Sequence, residues 1–346
     1  MFGIGVVEGF FGPEWSWKSR HQFCESLRAY GGEFYLYAPK RDRCLRRNWK
    51  EHHAVEVWGK IKNLSTTCRR NEVAFGMGLS PFEIHADWNQ NTKTLLRDKI
   101  ERVHELDIKF LGLLLDDMRG ASDLADRQVE IVEYVRSMTS TPIVFCPIYY
   151  SDDPLLDKVF GQRPDDYLEK IGNLSNDIHI FWTGSHVIPR SISDAELDAI
   201  ARILKRKPFI WDNYFANDGP RQCKFLKLKP LEGRTRNALQ KSIGWAFNLM
   251  NQPSLSEILL AASIDVLWKG ANPTDSFHRV ATRLAGPQFE LALKKHEQAL
   301  VELGLDKIGE DGKKEIFASL DGGRFSQEIS DWLNGKYVVG EECLTD

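Results

Sequence analysis

Two adjacent aspartates, Asp116 and Asp117, are the residues whose pairing most clearly suggests chemistry. They follow the apolar run Leu113-Leu114-Leu115, which is typical of the end of a buried strand. Two carboxylates that share a pocket resist joint ionisation, so the pKa of one of them rises and that group can act as an acid. Neighbouring strand residues point to opposite faces, so both aspartates face one pocket only if the backbone bends between them. The alternative is that Asp116 is a solvated strand end and Asp117 caps the following helix.

A second group of polar and aromatic residues lies further along the chain. Trp211-Asp212-Asn213 is followed by Asn217-Asp218, with Tyr214 between them. Asn and Asp commonly form local turns, which is the alternative interpretation of each one alone. The interleaved aromatic residues favour a binding site instead. Lys40 is a weaker candidate, because a solvated charged loop explains most of the basic residues around it, namely arginines 41, 43, 46 and 47.

Short apolar runs that alternate with helical patterns must position these candidates. The runs are mostly continuous, as expected of strands buried on both faces, and they are Ile4–Glu8, Phe34–Ala38, Val73–Met77, Phe110–Leu115, Ile143–Cys146, Ile178–Trp182, Phe209–Trp211 and Ile243–Phe247. Helical patterns include Trp17–Tyr30, Thr92–Leu106, Ser193–Lys205 with a capping box, and Ser254–Lys269. Eight strands alternating with helices over about 270 residues predict an α/β fold of the (β/α)8, or TIM, barrel type. A doubly wound open sheet is the alternative.

Residues 271–346 contain helical patterns and no convincing strand. We therefore predict a catalytic barrel over residues 1–270 and a small helical C-terminal extension over residues 271–346. Active sites of such barrels lie at the C-terminal ends of the strands. In this sequence those ends carry mostly carboxylates, amides, aromatic residues and a lysine, with no pair of histidines. These residue types suit a substrate rich in hydroxyl groups, such as a sugar, and chemistry driven by carboxylates.

Composition limits the classes of partner. The 346 residues carry a formal net charge of -3, which gives no reason to expect nucleic acid or an anionic membrane as partner. No stretch approaches the roughly 18 consecutive apolar residues of a membrane span, and the N-terminal segment does not resemble a signal peptide. The six cysteines show no metal-type spacing. We therefore predict a cytoplasmic protein without cofactor or metal, whose oligomeric state the sequence does not indicate.

Several short motifs match, in order, a known enzyme family. They are Gly5-Val6-Val7-Glu8-Gly9-Phe10-Phe11-Gly12, Tyr35-Leu36-Tyr37-Ala38-Pro39-Lys40, the Asp116-Asp117 pair, Phe145-Cys146-Pro147 with Tyr150, Trp182-Thr183-Gly184, and Trp211-Asp212-Asn213 with Ala216-Asn217-Asp218. Over residues 3–250 the chain resembles glycoside hydrolase family 84, which contains protein O-GlcNAcases, bacterial β-N-acetylglucosaminidases and hyaluronidase-like enzymes. The resemblance implies a retaining β-N-acetylglucosaminidase without a protein nucleophile, in which the substrate's own acetamide forms an oxazoline.

The resemblance also assigns roles to individual residues. Asp116 would orient and polarise the 2-acetamido group, whose carbonyl oxygen attacks the anomeric carbon. Asp117 would be the general acid and later the base toward water. Tyr150 would hydrogen-bond in the acetamide pocket, and Trp211 would form one of its aromatic walls. The residues that would bind sugar hydroxyls or the acetamide are Gly9, Lys40, Asn213, Asp218 and Asn248.

Two departures from the family pattern leave the substrate open. Lys40 is followed by Arg41-Asp42-Arg43, where the family commonly has two acidic residues, and Asp117 is followed by Met118-Arg119, where it commonly has an apolar residue and then Asp. We hypothesise that these arginines select an anionic aglycone or a sulfated or phosphorylated sugar. One alternative is a β-N-acetylhexosaminidase that acts on glycans or cell-wall fragments rather than on glycoprotein. Another is a catalytically silent sugar-binding barrel, although such a protein has no need of both carboxylates.

Overall fold

The computed structural model describes residues 2–120, 123–340 and 343–345. Within these ranges, eight parallel strands close a barrel in which each strand pairs with the next along the chain and the last pairs with the first. The strands are β1 (Gly3–Glu8), β2 (Phe34–Tyr37), β3 (Ala74–Leu79), β4 (Phe110–Leu114), β5 (Ile143–Cys146), β6 (Ile178–Trp182), β7 (Phe209–Asp212) and β8 (Gly244–Asn248). The predicted (β/α)8 barrel is confirmed, and the alternative of a doubly wound sheet is wrong.

The strands form where the sequence predicted them because their burial on both faces requires continuous apolar runs. Every residue of β1, β2 and β4 is buried. Each predicted strand boundary agrees with the structure to within two residues. The pairing register aligns the strand ends, with Glu8 opposite Tyr37 and Val7 opposite Asn248. The loops that follow these ends therefore meet at one face of the barrel.

Helices surround the barrel in the described part of the chain. They are α1 (Trp17–Tyr30), α2 (Val55–Arg70), α3 (Gln90–His104), α4 (Leu124–Met138), α5 (Pro154–Phe160), α6 (Tyr167–Ile171), α7 (Asp194–Ile203), α8 (Arg236–Gln240) and α9 (Pro253–Lys269). The capping box predicted for α7 is confirmed, since the Ser193 hydroxyl accepts from the Glu196 N–H at 3.3 Å and the Glu196 carboxylate accepts from the Ser193 N–H at 2.7 Å. None of the described helices combines the length and apolarity that a membrane span requires.

The predicted helical patterns after the barrel also form helices. They are α10 (Pro273–Ala285), α11 (Pro287–Glu297), α12 (Glu310–Ser319) and α13 (Arg324–Leu333), with a π-helical turn at Gln298–Leu303 after α11. Both α10 and α13 pack against α9. The buried Glu328 carboxylate of α13 accepts hydrogen bonds of 2.9 Å from the N–H groups of Ser254 and Leu255, at the positive N-terminus of α9. These contacts fix the helices to the barrel, while the domain boundary at residue 270 stays a prediction.

Candidate active site

The nine residues that the family resemblance assigns to the site all line one pocket at the C-terminal ends of the strands. They are Gly9, Lys40, Asp116, Asp117, Tyr150, Trp211, Asn213, Asp218 and Asn248. The nine residues come from the ends of β1, β2, β4, β5, β7 and β8 or from the loops that follow, so the barrel brings together residues far apart in sequence. The individual roles that the family resemblance assigns to them stay predictions.

The backbone bends between the two aspartates. β4 ends at Leu114, and Asp117 has a φ of 55°, a left-handed conformation that residues other than glycine rarely adopt. The bend allows both carboxylates to line the same pocket, where Asp116 is 5% and Asp117 is 7% exposed. The alternative for this pair is wrong, because Asp116 is not solvated and α4 begins at Leu124 with Asp123 as its N-cap.

Buried Arg46 supports this strained turn. Its guanidinium donates hydrogen bonds to the backbone oxygens of Asp117 at 3.0 Å and of Asp116 at 3.4 Å, and to the Ser80 hydroxyl at 2.7 Å. A left-handed conformation at a residue other than glycine costs on the order of 1–3 kcal/mol and persists only where its surroundings enforce it. The interpretation of Arg46 as part of a solvated charged loop is therefore wrong. Nothing in the sequence distinguishes it from the exposed arginines beside it.

The loop that carries Lys40 and Arg46 has its own polar support. His53 Nε2 lies 2.9 Å from both Asp42 carboxylate oxygens, and the Tyr37 hydroxyl donates to the same carboxylate at 3.2 Å. Cys44 lies beside them, so that three potential metal-ligand atoms fall within 4.8 Å of one another. No sequence pattern indicates this group, because His53 is separated from the other two residues by a loop without recognisable spacing.

Lys40 joins the two carboxylates. Its ammonium donates to Asp116 Oδ2 and lies 4.0 Å from Asp117 Oδ2, with the lysine side chain only 2% exposed. The other carboxylate oxygen, Asp116 Oδ1, is buried and has no hydrogen-bond partner among the described residues. Leaving a buried acceptor unsatisfied costs about 1–3 kcal/mol. Asp116 is therefore paired with a cation on one side and open to a donor on the other.

Asp117 has the properties of an acid. Burial and then the neighbouring charge of Asp116 raise the pKa of Asp117 above its usual range, whereas Lys40, Arg46 and a hydrogen bond from Tyr150 act in the opposite direction. The Tyr150 hydroxyl donates to Asp117 Oδ1 at 3.1 Å. A raised pKa keeps a carboxyl group protonated at a higher pH, so that it can donate a proton.

A chain of amide and indole hydrogen bonds orders the opposite wall of the pocket. Asn213 Oδ1 accepts from Trp211 Nε1 at 2.9 Å and from Asn248 Nδ2 at 3.0 Å, while Asn213 Nδ2 donates to the Val187 backbone oxygen at 2.9 Å. Asn248 Oδ1 is buried without a partner among the described residues. A Cβ atom on Gly9 would lie 2.5 Å from the Trp211 ring, so glycine at this position permits the indole to form the wall.

Asp218 lies beside the acid-base pair. Its carboxylate accepts a hydrogen bond of 2.8 Å from the Phe11 N–H. Burial raises the pKa of Asp218 to about 6, although the bond from Phe11 lowers it. When ionised, this carboxylate accepts from a hydroxyl group, and it can donate to one only as the pH falls toward and below its pKa.

Tyr214 of the second sequence cluster does not line the pocket, and the same is true of the two polar residues Asp212 and Asn217. The Asp212 carboxylate is fully buried and accepts hydrogen bonds from Arg234, Trp245 Nε1 and the Tyr214 N–H. The Asn217 side chain bonds to the backbone and to Gln252. Both residues hold the loops after β7 and β8, which is the alternative interpretation that the sequence left open for them.

Breaking the Asp212–Arg234 pair is expected to destabilise the barrel. The two side chains are fully buried, and Arg234 Nη2 lies 2.8 Å from Asp212 Oδ1. Removal of one partner from a buried ion pair costs about 3–5 kcal/mol, because the other charge stays buried without compensation. Asp212→Asn should therefore lower the urea midpoint of unfolding strongly. The control is Asp198→Asn in the partly exposed Lys241–Asp198 pair, which should cost at most about 1 kcal/mol. Equal midpoints for the two variants would contradict this account.

The C-terminal segment contributes two residues to the site that were not predicted from the sequence. Cys343 and Thr345 line the same pocket as the two aspartates. Burial raises the pKa of Cys343 above its usual range. Neither residue belongs to a helical or strand pattern, so no periodicity or motif in the sequence pointed to them.

Comparison with known proteins places the chain in an enzyme family. A family model described as beta-N-acetylglucosaminidase matches residues 4–301, which includes the whole barrel and continues into α11 and the π-helical turn. The chain belongs to this family. Membership confirms the resemblance to the β-N-acetylglucosaminidases and a glycoside hydrolase type of enzyme.

Individual relatives show how much of the chain is similar to known proteins in sequence and in structure. The protein O-GlcNAcases of Rattus norvegicus and Mus musculus are each 30% identical to this chain over 257 aligned residues, and the match covers 70% of this chain and 27% of theirs. The chain thus spans about a quarter of the length of these relatives. A structure of a Thermobaculum terrenum O-GlcNAc hydrolase mutant has a TM-score of 0.82 at 24% identity, covering 96% of this chain and 80% of that one. The structural likeness supports the barrel fold.

Proposed function

We propose that this chain hydrolyses terminal β-linked N-acetylglucosamine with retention of configuration, by substrate-assisted catalysis through an oxazoline intermediate. One observation carries the proposal: Asp116 Oδ1 is buried beside a raised-pKa carboxyl group and has no partner among the described residues. An acetamide N–H is the donor that this acceptor lacks. Asp116 then polarises the acetamide, and Asp117 supplies a proton a few ångströms away.

The reaction follows in two steps. In the first, the acetamide carbonyl oxygen attacks the anomeric carbon, the bond to the aglycone oxygen breaks, and Asp117 gives that oxygen its proton. Asp116, held by Lys40, stabilises the positive charge that develops on the acetamide nitrogen. In the second step, water attacks the anomeric carbon, the oxazoline opens, and Asp117 takes a proton from the water. No carboxylate forms a bond to the sugar, which is the exception among retaining glycosidases.

The remaining pocket residues fit the sugar ring and its acetamide. The buried and unpartnered Asn248 Oδ1 is an acceptor for a hydroxyl group, and Asp218 is a second one. The Trp211 ring, fixed by Asn213, offers a flat apolar wall for the acetamide methyl group. The Tyr150 hydroxyl, which donates to Asp117 in this structure, lines the same pocket and offers a donor for the acetamide oxygen. The names of the rodent relatives support a glycoprotein as the natural substrate.

Hydrolysis of paired aryl β-glycosides tests the proposal. We expect turnover of the N-acetylglucosaminide and none of the matched glucoside, which lacks the acetamide nucleophile. A thiazoline that mimics the oxazoline should inhibit competitively and bind far more tightly than substrate, by roughly 10²-fold or more. Binding of the thiazoline without turnover would indicate the silent sugar-binding barrel. Cleavage of both glycosides at similar rates would contradict substrate assistance.

Replacing Lys40 should change the pH profile of the reaction. Because the first step needs protonated Asp117, kcat/KM falls as the pH rises through the pKa of this group. Lys40 lowers that pKa, and an opposite charge at this distance contributes about 1–3 pH units. In Lys40→Met the basic limb of the kcat/KM profile should therefore move to higher pH, with a lower maximum. Lys158→Met, a change of an exposed lysine on α5, is the control and should leave the profile unchanged. A basic limb that stays in place or moves down would contradict the assignment.

A further inference from the structure

A second, positively charged cleft is continuous with the active site. It has a volume of about 520 Å³, and it shares Lys40, Asp117 and Phe11 with the pocket described above. Because Asp117 protonates the leaving oxygen in the proposed reaction, the side of the site that adjoins Asp117 is the side on which the aglycone leaves. The cleft therefore lies where the aglycone has to bind.

Six of its described lining residues are basic, namely five arginines and Lys40, against three acidic ones, namely two glutamates and Asp117. The arginines are Arg41, Arg43, Arg46, Arg47 and Arg119, and the glutamates are Glu14 and Glu83. Arg46 is committed to the turn at the aspartates, and Glu14 already pairs with Arg20. The other four arginines are exposed and form no ion pair with a carboxylate in the described ranges. The cleft is thus positive on a chain whose formal net charge is -3.

We infer that this arginine cleft binds an acidic polypeptide aglycone, that is, a glycosylated segment with carboxylate or phosphate groups near the modified residue. The inference rests on the proposed function and names the substrate class of the same site. Guanidinium groups bind carboxylates and phosphates with charge-assisted, often bidentate hydrogen bonds. An electropositive cleft on an anionic protein also raises the local concentration of an anionic ligand while repelling cationic ones.

Two observations favour a polypeptide over a single acidic sugar. The cleft volume falls within the range of about 300–1,000 Å³ that holds ligands larger than one monosaccharide. Leu344 lines the same cleft, so a stretch of polypeptide already fits against these arginines.

Matched glycopeptides test the inference. Two peptides carry O-linked N-acetylglucosamine on the same serine and differ only in whether the flanking residues are Asp and Glu or Asn and Gln. We expect kcat/KM for the acidic peptide to be about 10-fold higher at low ionic strength, and the ratio to approach one in 0.5 M salt, where the screening length is about 4 Å. The salt dependence uses the wild-type protein and so does not depend on any variant folding.

The double variant Arg41→Gln/Arg119→Gln should reduce the acidic-to-neutral ratio to about threefold or less, with thermal unfolding used to verify that it is folded. Arg70→Gln is the matched control, because Arg70 is exposed and lies at the end of α2, at the opposite face of the barrel. A ratio of one in wild type, or a ratio that the double variant retains, would overturn the inference. If the enzyme prefers N-acetylglucosamine linked to a uronic acid and shows no preference for the acidic peptide, the inference of a polypeptide aglycone is wrong and the cleft binds an acidic glycan. Failure to cleave a neutral aryl N-acetylglucosaminide would instead reject the proposed function.

Discussion

Asp117→Asn is expected to lower kcat/KM for an N-acetylglucosaminide with an alkoxide leaving group, such as a glycosylated serine, by about 10²–10⁴. The amide cannot donate a proton from the position where the structure holds the Asp117 carboxyl group. An aryl glycoside whose phenol ionises easily needs less protonation, so its cleavage should fall less in the same variant. The measurement is therefore a comparison of two leaving groups in wild type and variant. The dependence of rate on leaving-group pKa should become steeper when the acid is lost.

The control for this variant is Asp123→Asn, in the loop that follows the aspartate pair. Asp123 is 62% exposed, and among the described residues its only ion pair is a surface one with Arg127. Its loss should leave both substrates within about twofold of wild type, since exposed pairs contribute little. An Asp117→Asn enzyme that lost the same factor on both leaving groups would contradict the role of general acid and would point to a structural role for this residue.

Asp116→Asn should lower kcat/KM by about 10²–10³ for either leaving group, because it removes the charge that stabilises the acetamide nitrogen in the transition state. The variant also deprives the buried Lys40 ammonium of its hydrogen-bonded carboxylate and leaves it only Asp117 Oδ2, which lies 4.0 Å away, as an ion-pair partner among the described residues. Affinity for the thiazoline inhibitor should fall along with the rate, because the inhibitor presents the same ring that Asp116 stabilises. In Asp117→Asn the inhibitor should lose much less affinity.

The two aspartates are thus distinguished by two independent measurements. Replacing Asp116 should lower the affinity for the thiazoline and should reduce kcat/KM equally for both leaving groups. Replacing Asp117 should instead make kcat/KM depend more steeply on the pKa of the leaving group. Unchanged thiazoline affinity in Asp116→Asn, together with a rate loss that varies with the leaving group, would exchange the two roles. Thermal unfolding of both variants excludes loss of fold as the cause.

The barrel could be predicted because strands that are buried on both faces need continuous apolar runs, which are visible in the sequence. Runs such as the one before Asp116 are continuously apolar, and in a closed parallel barrel the ends of such runs converge. The pocket residues follow from that convergence, since Gly9, Lys40 and Asn248 lie at or just beyond the ends of their strands. Periodicity and topology therefore predicted which strand ends meet, and the family resemblance selected the nine pocket residues among the polar and aromatic side chains at those ends.

Other features depend on tertiary contacts that leave no local pattern. Arg46 looks like its exposed neighbours in the sequence, yet it is buried and holds the turn at Asp117. Asp212 appears beside Trp211 as a site residue, but it faces the other way because strand residues alternate between faces, and Arg234 neutralises it. Thr345 reaches the pocket from the far end of the chain. Burial and partners distant in sequence therefore determine which charged side chains lie in the site, and neither is visible in a local sequence pattern.

The nucleophile in this account is the substrate's acetamide, and fluorination of that group tests it most directly. Wild-type protein is assayed with aryl N-acetylglucosaminides in which the acetyl group carries none, one, two or three fluorine atoms. Fluorine withdraws electrons from the carbonyl oxygen, so we predict that kcat/KM falls steeply with each added atom. Rates that are insensitive to fluorination, or a covalent bond between the sugar and a protein carboxylate trapped during turnover, would contradict the account.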